Sequence, residues 1–256
     1  MTDPLVTGPA LFDLTGQTAL VTGAGKGIGR AVAVALAEAG ADVVLHARHD
    51  ADLDDVERQI KAAGRTAGRW VFDLADPARV ADAAEGIGPI DILVNNAGLI
   101  RRGPSAEQPL AAWREVLDTN LDAVFVLTRA LGSGMLHRGH GRVVMIASLL
   151  SFQGGLNVAA YTASKHAVAG LTKALANEWT ERGVLVNAIA PGYIATANTR
   201  ALRDDADREL AIRQRIPAGR WGRPEDVAGA AVFLASPAAG YVAGHVLAVD
   251  GGWLAR

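Results

Sequence analysis

The stretch "TALVTGAGKGIGRAVAVALAEAG", residues 18–40, decides the fold because a strand, a glycine-rich turn and a helix follow one another directly. Gly23, Gly27 and Gly29 stand where the backbone must turn tightly and approach a bound group closely. A helix beginning near Gly27 offers unpaired amides and the positive end of its dipole to an anion. Glycines in a turn alone would be weak evidence. With the strand before and the helix after, the T-G-x-x-x-G-x-G spacing predicts a cradle for a dinucleotide pyrophosphate.

The rest of the chain alternates apolar, strand-like runs with alanine-rich helical stretches such as 30–40 and 112–131. The apolar runs are continuous, which is typical of parallel strands that are covered on both faces. The predicted strands are 18–22, 41–47, 69–74, 91–96, 142–148, 184–190 and 245–250. This rhythm predicts an α/β protein, a single Rossmann-type doubly wound domain over 1–256 with a seven-stranded parallel sheet.

Composition excludes several classes of function. The formal net charge of the 256 residues is −2 and no basic block stands out, which argues against nucleic acid as the main partner. The absence of cysteine excludes disulfides and thiolate metal sites, and the six histidines show no metal-binding spacing. No apolar run is long enough to predict a membrane span, and the first residues do not resemble an export signal. We therefore expect no metal, no membrane partner and a cytoplasmic location.

The end of the second predicted strand bears on the choice of cofactor. Ala47 occupies the position where an acidic residue would bind a ribose 2′-hydroxyl, and Arg48 follows it. Lys26 adds a second cation within the glycine turn, so this pattern favours NADP(H) over NAD(H). Two alternatives stay open: Arg48 points only into solvent, or Asp50 or Asp52 accepts hydrogen bonds from the ribose.

Two further strand ends belong to the predicted cofactor site. Asp73 follows the third strand, where its carboxylate can meet the adenine edge. "NNAG", residues 95–98, ends the fourth strand, where small residues let the backbone run beneath the cofactor. A purely structural Asn–Asn–Gly turn is the alternative.

"YTASK", residues 161–165, places a phenol and an amine one helical turn apart. Reduction of a ketone by hydride needs a proton donor whose pKa lies near the working pH, and free tyrosine is too weak an acid. A neighbouring ammonium lowers that pKa, so we expect Lys165 to tune Tyr161 and to hold the cofactor ribose. Y-x-x-x-K pairs also arise often on ordinary helices.

Two residues outside that helix strengthen the prediction. Ser148 ends the strand "RVVMIAS", where its hydroxyl can hold a substrate oxygen against the phenol. Asn120 lies within a helical pattern although asparagine is a mediocre helix former. Its amide could bend that helix and anchor a water molecule that relays protons to Lys165; on its own it would be read as a surface residue.

Residues 191–224 mix glycine, proline, asparagine and charge with short helical patches directly after a strand. Insertions at the carboxyl end of a strand lie over the ligand crevice of open α/β sheets. We predict a mobile substrate lid; a solvated surface excursion is the alternative.

Together these motifs resemble the short-chain dehydrogenase/reductase family over nearly the whole chain. The resemblance rests on Thr22–Gly29, Asn95–Gly98, Asn120, Ser148, Tyr161, Lys165 and Pro191–Gly192. It implies a catalytic tetrad of Asn120, Ser148, Tyr161 and Lys165, a homotetramer built through long helices, and contacts of Ile194 and Thr196 with the nicotinamide carboxamide. The expected cofactor contacts are Gly23, Lys26, Gly27, Ile28, Gly29, Arg48, Asp73, Leu74, Asn96, Ala97, Gly98, Tyr161, Lys165, Pro191, Gly192, Ile194 and Thr196.

Several stretches resemble a branch of this family that acts on ring-opened sugar acids. They are 95–102, 146–155, 190–205, 215–222 and 248–256, and they imply a small hydroxylated carboxylate as substrate, 2-deoxy-D-gluconate or 2-dehydro-3-deoxy-D-gluconate. We expect Arg101 or Arg102 to bind the carboxylate, unless both are surface charges, and Gln153 and Asn157 to bind hydroxyls.

Other activities stay open. They are gluconate oxidation at carbon 5, 3-oxoacyl thioester reduction, a promiscuous alcohol dehydrogenase and a nucleotide-sensing scaffold. The branch is usually associated with NAD, which runs against the cofactor preference that Lys26 and Arg48 indicate.

Overall fold

A computed structural model describes residues 7–256. It contains one parallel sheet in the order β3-β2-β1-β4-β5-β6-β7, which confirms the predicted fold class. The strands are β1 Thr18–Val21, β2 Asp42–Ala47, β3 Ala67–Val71, β4 Ile92–Asn95, β5 Gly141–Ile146, β6 Val184–Pro191 and β7 Val246–Val249. The strand order reverses between β1 and β4, so the crevice of this sheet opens above their carboxyl ends.

Helices cover both faces of the sheet. They are α1 Gly27–Glu38, α2 Asp54–Ala62, α3 Pro77–Ala84, α4 Leu110–Leu117, α5 Ala123–Arg138, α6 Ala159–Trp179, α7 Arg200–Arg203, α8 Ala206–Arg215 and α9 Pro224–Ala235. One apolar core packs α1, α2 and α9 against the sheet, and a second packs α3, α5 and α6 against its other face. Every residue of β6 is buried, as expected for a central strand covered on both sides.

The helix predicted over 112–131 is divided in two. A π-helical turn, Asp118–Asp122, separates α4 from α5 and contains Asn120. Single π-turns inside helices are rare and occur often at functional sites. The predicted bend at Asn120 is therefore present as a widened turn.

Segment 191–224 leaves the sheet after β6 and contains α7 and α8. A parallel bridge between Ile194 and Gly222 ties its beginning to its end. The segment packs through a small apolar cluster whose buried members are Leu149, Ile212, Ile216 and Trp253. No helix between residues 7 and 256 has the length and apolar character that a membrane crossing would need.

Candidate active site

The glycine turn is shaped for close approach of a ligand to the backbone. Gly23 and Gly27 have φ angles of +64° and +55°, which residues with a Cβ rarely adopt. A Cβ on Gly29 would overlap the Gly23 carbonyl oxygen and the Asn96 amide. Since α1 begins at Gly27, its first amides face the crevice, and the turn fits the pyrophosphate of a dinucleotide.

The "NNAG" segment, residues 95–98, is hydrogen-bonded to the glycine turn. The Asn96 side-chain amide donates to the carbonyl oxygens of Thr22 and Gly23, at 2.8 and 3.2 Å. The Thr22 hydroxyl accepts from the backbone amides of Asn96 and Ala97, both at 2.9 Å. A Cβ on Gly98 would lie 3.1 Å from Asn120 Oδ1. The glycine turn and the π-turn that contains Asn120 are thus joined through 96–98.

His46 is a site residue that sequence reasoning missed. The Gly23 backbone amide donates to its Nδ1 at 3.1 Å, and its Nε2 lies 3.0 Å from the Phe72 carbonyl oxygen. Since Nδ1 accepts, Nε2 carries the proton and donates. Burial lowers the pKa of His46 to about 4, so the ring is neutral at physiological pH. The sequence feature that could have indicated it is "VVLHA", residues 43–47, in which a histidine interrupts an apolar strand.

Two exposed cations lie near the end of β2 and the glycine turn. Arg48 and Lys26 are both exposed, whereas Ala47 is buried. Asp50, one alternative ribose acceptor, forms an ion pair with Arg69 at 2.9 Å. The backbone oxygen of Asp52, the other alternative ribose acceptor, faces Gly25. A Cβ on Gly25 would lie 2.6 Å from that oxygen.

Asp73 and Leu74, which were expected to meet the adenine, follow the carboxyl end of β3. Asp73 Oδ1 accepts from the Ala75 backbone amide at 3.0 Å, and Leu74 is buried. β3 itself ends at Val71, three residues before the predicted end.

Tyr161 and Lys165 lie in the first two turns of α6. Lys165 Nζ lies 5.6 Å from the Tyr161 ring centroid and donates to the Ile146 carbonyl oxygen at 2.6 Å. The lysine is 5% exposed, and burial lowers its pKa to about 8.

Lys165 was expected to lower the pKa of the Tyr161 phenol, but the pKa of Tyr161 is raised instead. Burial raises the pKa of Tyr161 above its ordinary value, while the Ser148 hydroxyl and the charge of Arg102 act against that rise. The expected ammonium of Lys165 is directed at the Ile146 carbonyl oxygen instead. Arg102 is therefore an unforeseen contributor to the acid/base group.

Ser148 follows β5 at the carboxyl edge of the sheet. Its Oγ accepts from the Leu150 backbone amide at 3.1 Å and starts the short 3-10 turn Leu149–Ser151. The same hydroxyl lies beside the Tyr161 phenol and lowers its pKa. The hydroxyls of Ser148 and Tyr161 can thus both form hydrogen bonds with the same substrate oxygen.

Asn120 is fully buried and clamps the chain after β4. Its Oδ1 accepts from the Leu99 amide at 2.9 Å, and its Nδ2 donates to the Leu99 carbonyl oxygen at 3.0 Å and to Ser164 Oγ at 3.3 Å. The side chain therefore reaches Ser164, next to Lys165, rather than Lys165 itself.

The two candidate arginines differ. Arg101 forms a two-pronged pair with Glu115, at 2.7 and 2.5 Å, so the predicted role in carboxylate binding does not fit it. Arg102 donates to the Asn198 carbonyl oxygen at 3.4 Å and influences the Tyr161 phenol. Arg102 thus bonds to segment 191–224, and its charge acts on the Tyr161 phenol.

The two predicted hydroxyl-binding residues also differ. Asn157 is exposed, has a φ of +60° and holds the Gly103 amide through its backbone oxygen at 3.0 Å. Gln153 is half-buried, and its Oε1 accepts from the Trp253 indole at 3.0 Å.

The start of segment 191–224 reaches back to the glycine turn. Pro191 ends β6, and a Cβ on Gly192 would lie 2.7 Å from the Asp250 backbone. Thr196 Cγ2 lies 3.4 Å from where a Cβ on Gly27 would be. Ile194 is buried and Ile28 is half-buried. The side chains expected at the nicotinamide thus border the pyrophosphate cradle.

Known proteins match this chain over nearly its full length. A family model described as enoyl-(acyl carrier protein) reductase matches residues 23–254. The 2-dehydro-3-deoxy-D-gluconate 5-dehydrogenase of Bacillus subtilis (strain 168) is 54% identical over 96% of this chain and 97% of the relative.

Two crystal structures are also similar to this chain. One is described as a candidate 2-deoxy-D-gluconate 3-dehydrogenase of Agrobacterium tumefaciens with bound NADP; it is 57% identical over 96% of this chain and 99% of its own, with a TM-score of 0.92. The other is described as a candidate NAD(P)-dependent gluconate 5-dehydrogenase of Beutenbergia cavernae with NADP at low occupancy. It is 59% identical over 96% of this chain and 100% of its own, with a TM-score of 0.92.

Proposed function

Because this chain belongs to the short-chain dehydrogenase/reductase family, we propose that it interconverts a secondary alcohol and a ketone on a sugar acid. The proposed substrate pair is 2-deoxy-D-gluconate or 2-dehydro-3-deoxy-D-gluconate with its oxidised or reduced partner. The observation that carries this proposal is the position of the Ser148 hydroxyl, at the carboxyl end of β5, beside the Tyr161 phenol, whose ring lies 5.6 Å from Lys165 Nζ.

The proton chemistry belongs to residues of this chain. Tyr161 donates a proton to the substrate oxygen during reduction and removes it during oxidation, while Ser148 holds that oxygen in place. Asn120 and Lys165 complete the tetrad that the family implies. A bound nicotinamide cofactor supplies or accepts the hydride. Because burial raises the pKa of Tyr161, the neutral phenol is ready to act as the acid, whereas oxidation requires its deprotonation.

The charges at the end of β2 support NADP(H) as the preferred cofactor. Arg48 and Lys26 are exposed and can meet a 2′-phosphate, and Asp50 is engaged by Arg69. The Agrobacterium and Beutenbergia structures were solved with NADP. Comparison of kcat/KM for NADP and NAD tests the preference, and a higher value with NAD would refute it.

Arg102 is the proposed carboxylate ligand. A guanidinium can bind a carboxylate in bidentate fashion, and Arg102 is exposed and carries a charge that acts on the Tyr161 phenol. We further propose that segment 191–224 acts as a lid over the bound sugar acid, because it leaves the sheet at the carboxyl end of β6 and its Asn198 oxygen accepts from Arg102.

The decisive experiment is a spectrophotometric panel of sugar acids with both cofactors. We expect the highest kcat/KM for 2-deoxy-D-gluconate or 2-dehydro-3-deoxy-D-gluconate and a lower value for gluconate. A 3-oxoacyl thioester is the comparison substrate for the alternative reductase activity. Turnover of the thioester and none of the sugar acids would contradict the proposal.

A further inference from the structure

The C-terminal turn contacts the predicted substrate-binding loop directly. Trp253 is 5% exposed, and its indole nitrogen donates to Gln153 Oε1 across 100 residues of sequence. Gln153 follows the turn that begins at Ser148 and was expected to bind a sugar hydroxyl. The two residues therefore connect the end of the chain to the substrate side of the site.

This bond determines which way the Gln153 amide faces. An indole nitrogen can only donate, so the atom that meets it must be the amide oxygen. The NH2 group must then point away from Trp253, and within residues 7–256 it donates no hydrogen bond to the protein. Sugar-acid hydroxyl and carboxylate oxygens are acceptors, which is the complement that this NH2 group requires.

The indole is also held by segment 191–224. The Arg215 guanidinium, at the end of α8, lies 4.0 Å from the Trp253 ring centroid. The Tyr193 ring lies 4.7 Å away on the same cluster. Trp253 thus touches both the segment proposed as a lid and the glutamine of the substrate loop.

The backbone of the C-terminal turn is fixed against the end of α8. Asp250 accepts from the amides of Gly252 and Leu254, at 2.8 and 2.9 Å. The Ala218 amide donates to the Gly251 oxygen at 2.9 Å, and a Cβ on Gly251 would lie 2.9 Å from Ile216. The indole is therefore presented from a rigid base rather than from a loose terminus.

We propose that Trp253 is a specificity-determining positioning residue, which orients the Gln153 amide toward the substrate through its indole N–H and couples that orientation to the packing of α8. The inference rests on the proposed sugar-acid activity. Trp253 acts through Gln153 and does not itself touch the reacting atoms.

The test compares Trp253→Phe, Gln153→Ala and the double variant in steady-state kinetics. Phenylalanine retains an aromatic ring beside Tyr193 and Arg215 but has no N–H. We expect each single variant to raise the sugar-acid KM by about tenfold, with kcat and the cofactor KM changed by less than about twofold. The double variant should show no further rise, since both changes remove the same contact.

Trp221→Phe is the matched control. Trp221 also packs on Tyr193, but its indole nitrogen is buried without a hydrogen-bond partner among the described residues. Loss of that N–H removes no hydrogen bond of the described chain, so any rise in the sugar-acid KM of Trp221→Phe reports ring packing and should be well below the rise of about tenfold in Trp253→Phe. An equal KM rise in Trp221→Phe and Trp253→Phe would assign the effect to ring packing and overturn the inference.

Other outcomes also decide the matter. An unchanged sugar-acid KM in Trp253→Phe, or fully additive effects in the double variant, overturns the inference while the proposed function stands. Wild-type enzyme that turns over no sugar acid refutes the proposed function itself. If Trp253→Phe does not fold, benzothienylalanine at position 253 keeps the two-ring shape and replaces the N–H with sulfur, and the same tenfold rise is expected.

Discussion

At the scale of single residues, the Tyr161 phenol is the most informative group because Arg102 affects its ionisation. The positive charge of Arg102 lowers the pKa of Tyr161 against the rise that burial causes. Oxidation of the alcohol needs the phenolate, so kcat/KM rises with pH as Tyr161 loses its proton, and Arg102→Ala should move this ascending limb to higher pH. Arg102→Lys keeps the charge and should restore the wild-type profile. The pH profiles of the three enzymes in the oxidation direction check this.

The neighbouring arginine provides the control. Arg101 is held by Glu115 and should have little influence on either the phenol or the substrate. Arg101→Ala is expected to keep the wild-type pH profile and sugar-acid KM, while Arg102→Ala raises that KM by about tenfold or more. Equal effects of the two substitutions would contradict the assignment of Arg102 as carboxylate ligand.

Lys165 should reduce the stability of the folded enzyme at neutral pH. Burial lowers its pKa from 10.5 to about 8, which corresponds to a cost of about 3 kcal/mol for the charged form. We expect Lys165→Met to have a higher Tm than wild type at pH 7 and negligible turnover. Lys165 keeps its proton up to about pH 10.5 in the unfolded chain but only up to about pH 8 in the folded chain. The free energy of unfolding of the wild type should therefore increase with pH between these values, and that of Lys165→Met should not.

Thermal unfolding at pH 7, 8 and 9.5 measures this difference. Lys173→Met, on the exposed face of the same helix, is the control and should change the Tm little, because that side chain is exposed. A Tm of Lys165→Met that stays below wild type at pH 7 would mean that the bond to the Ile146 oxygen outweighs the burial cost.

At the scale of secondary structure, the π-turn between α4 and α5 depends on Asn120. Its amide makes three hydrogen bonds in a buried position, two of them to Leu99. Asn120→Ala should lower the free energy of unfolding by about 3 kcal/mol and reduce kcat, because the loop after β4 loses its clamp. Urea unfolding and steady-state kinetics measure the two effects.

The adjacent residue separates a specific role from general sensitivity of the turn. The Thr119 hydroxyl is buried in the same π-turn and has no partner among the described residues. Thr119→Val keeps the shape and should leave the free energy of unfolding unchanged or raise it slightly. A loss in Thr119→Val as large as that in Asn120→Ala would show that any change in this turn is disruptive.

Secondary elements were predictable from sequence where a repeating pattern carried them. Continuous apolar runs located all of the strands to within a few residues, because central parallel strands must be apolar on both faces. Contacts between distant residues left no such pattern. Arg101 and Arg102 are identical in sequence terms until folding brings Glu115 to one and Asn198 to the other. The π-turn was visible only as an unfavourable asparagine within a helix.

At the scale of the whole molecule, the exposed faces of the long helices bear on assembly. Family resemblance implies a homotetramer in which long helices of neighbouring subunits pack together, and α5 and α6 are the longest helices of the described chain. Phe125 on α5 is 41% exposed, and only the Arg129 guanidinium lies over its ring, at 5.8 Å. An exposed aromatic on such a helix is suited to an apolar contact between subunits.

We therefore expect light scattering after size-exclusion chromatography to give about four times the chain mass of 26.6 kDa. Phe125→Asp places a charge at the proposed helix contact and should reduce the mass to that of a smaller assembly, because burying an unpaired carboxylate is costly. Leu210→Asp, an equally exposed apolar position on α8, is the control and should keep the wild-type mass. A monomeric wild-type enzyme, or a Phe125→Asp variant with unchanged mass, would contradict assembly through α5.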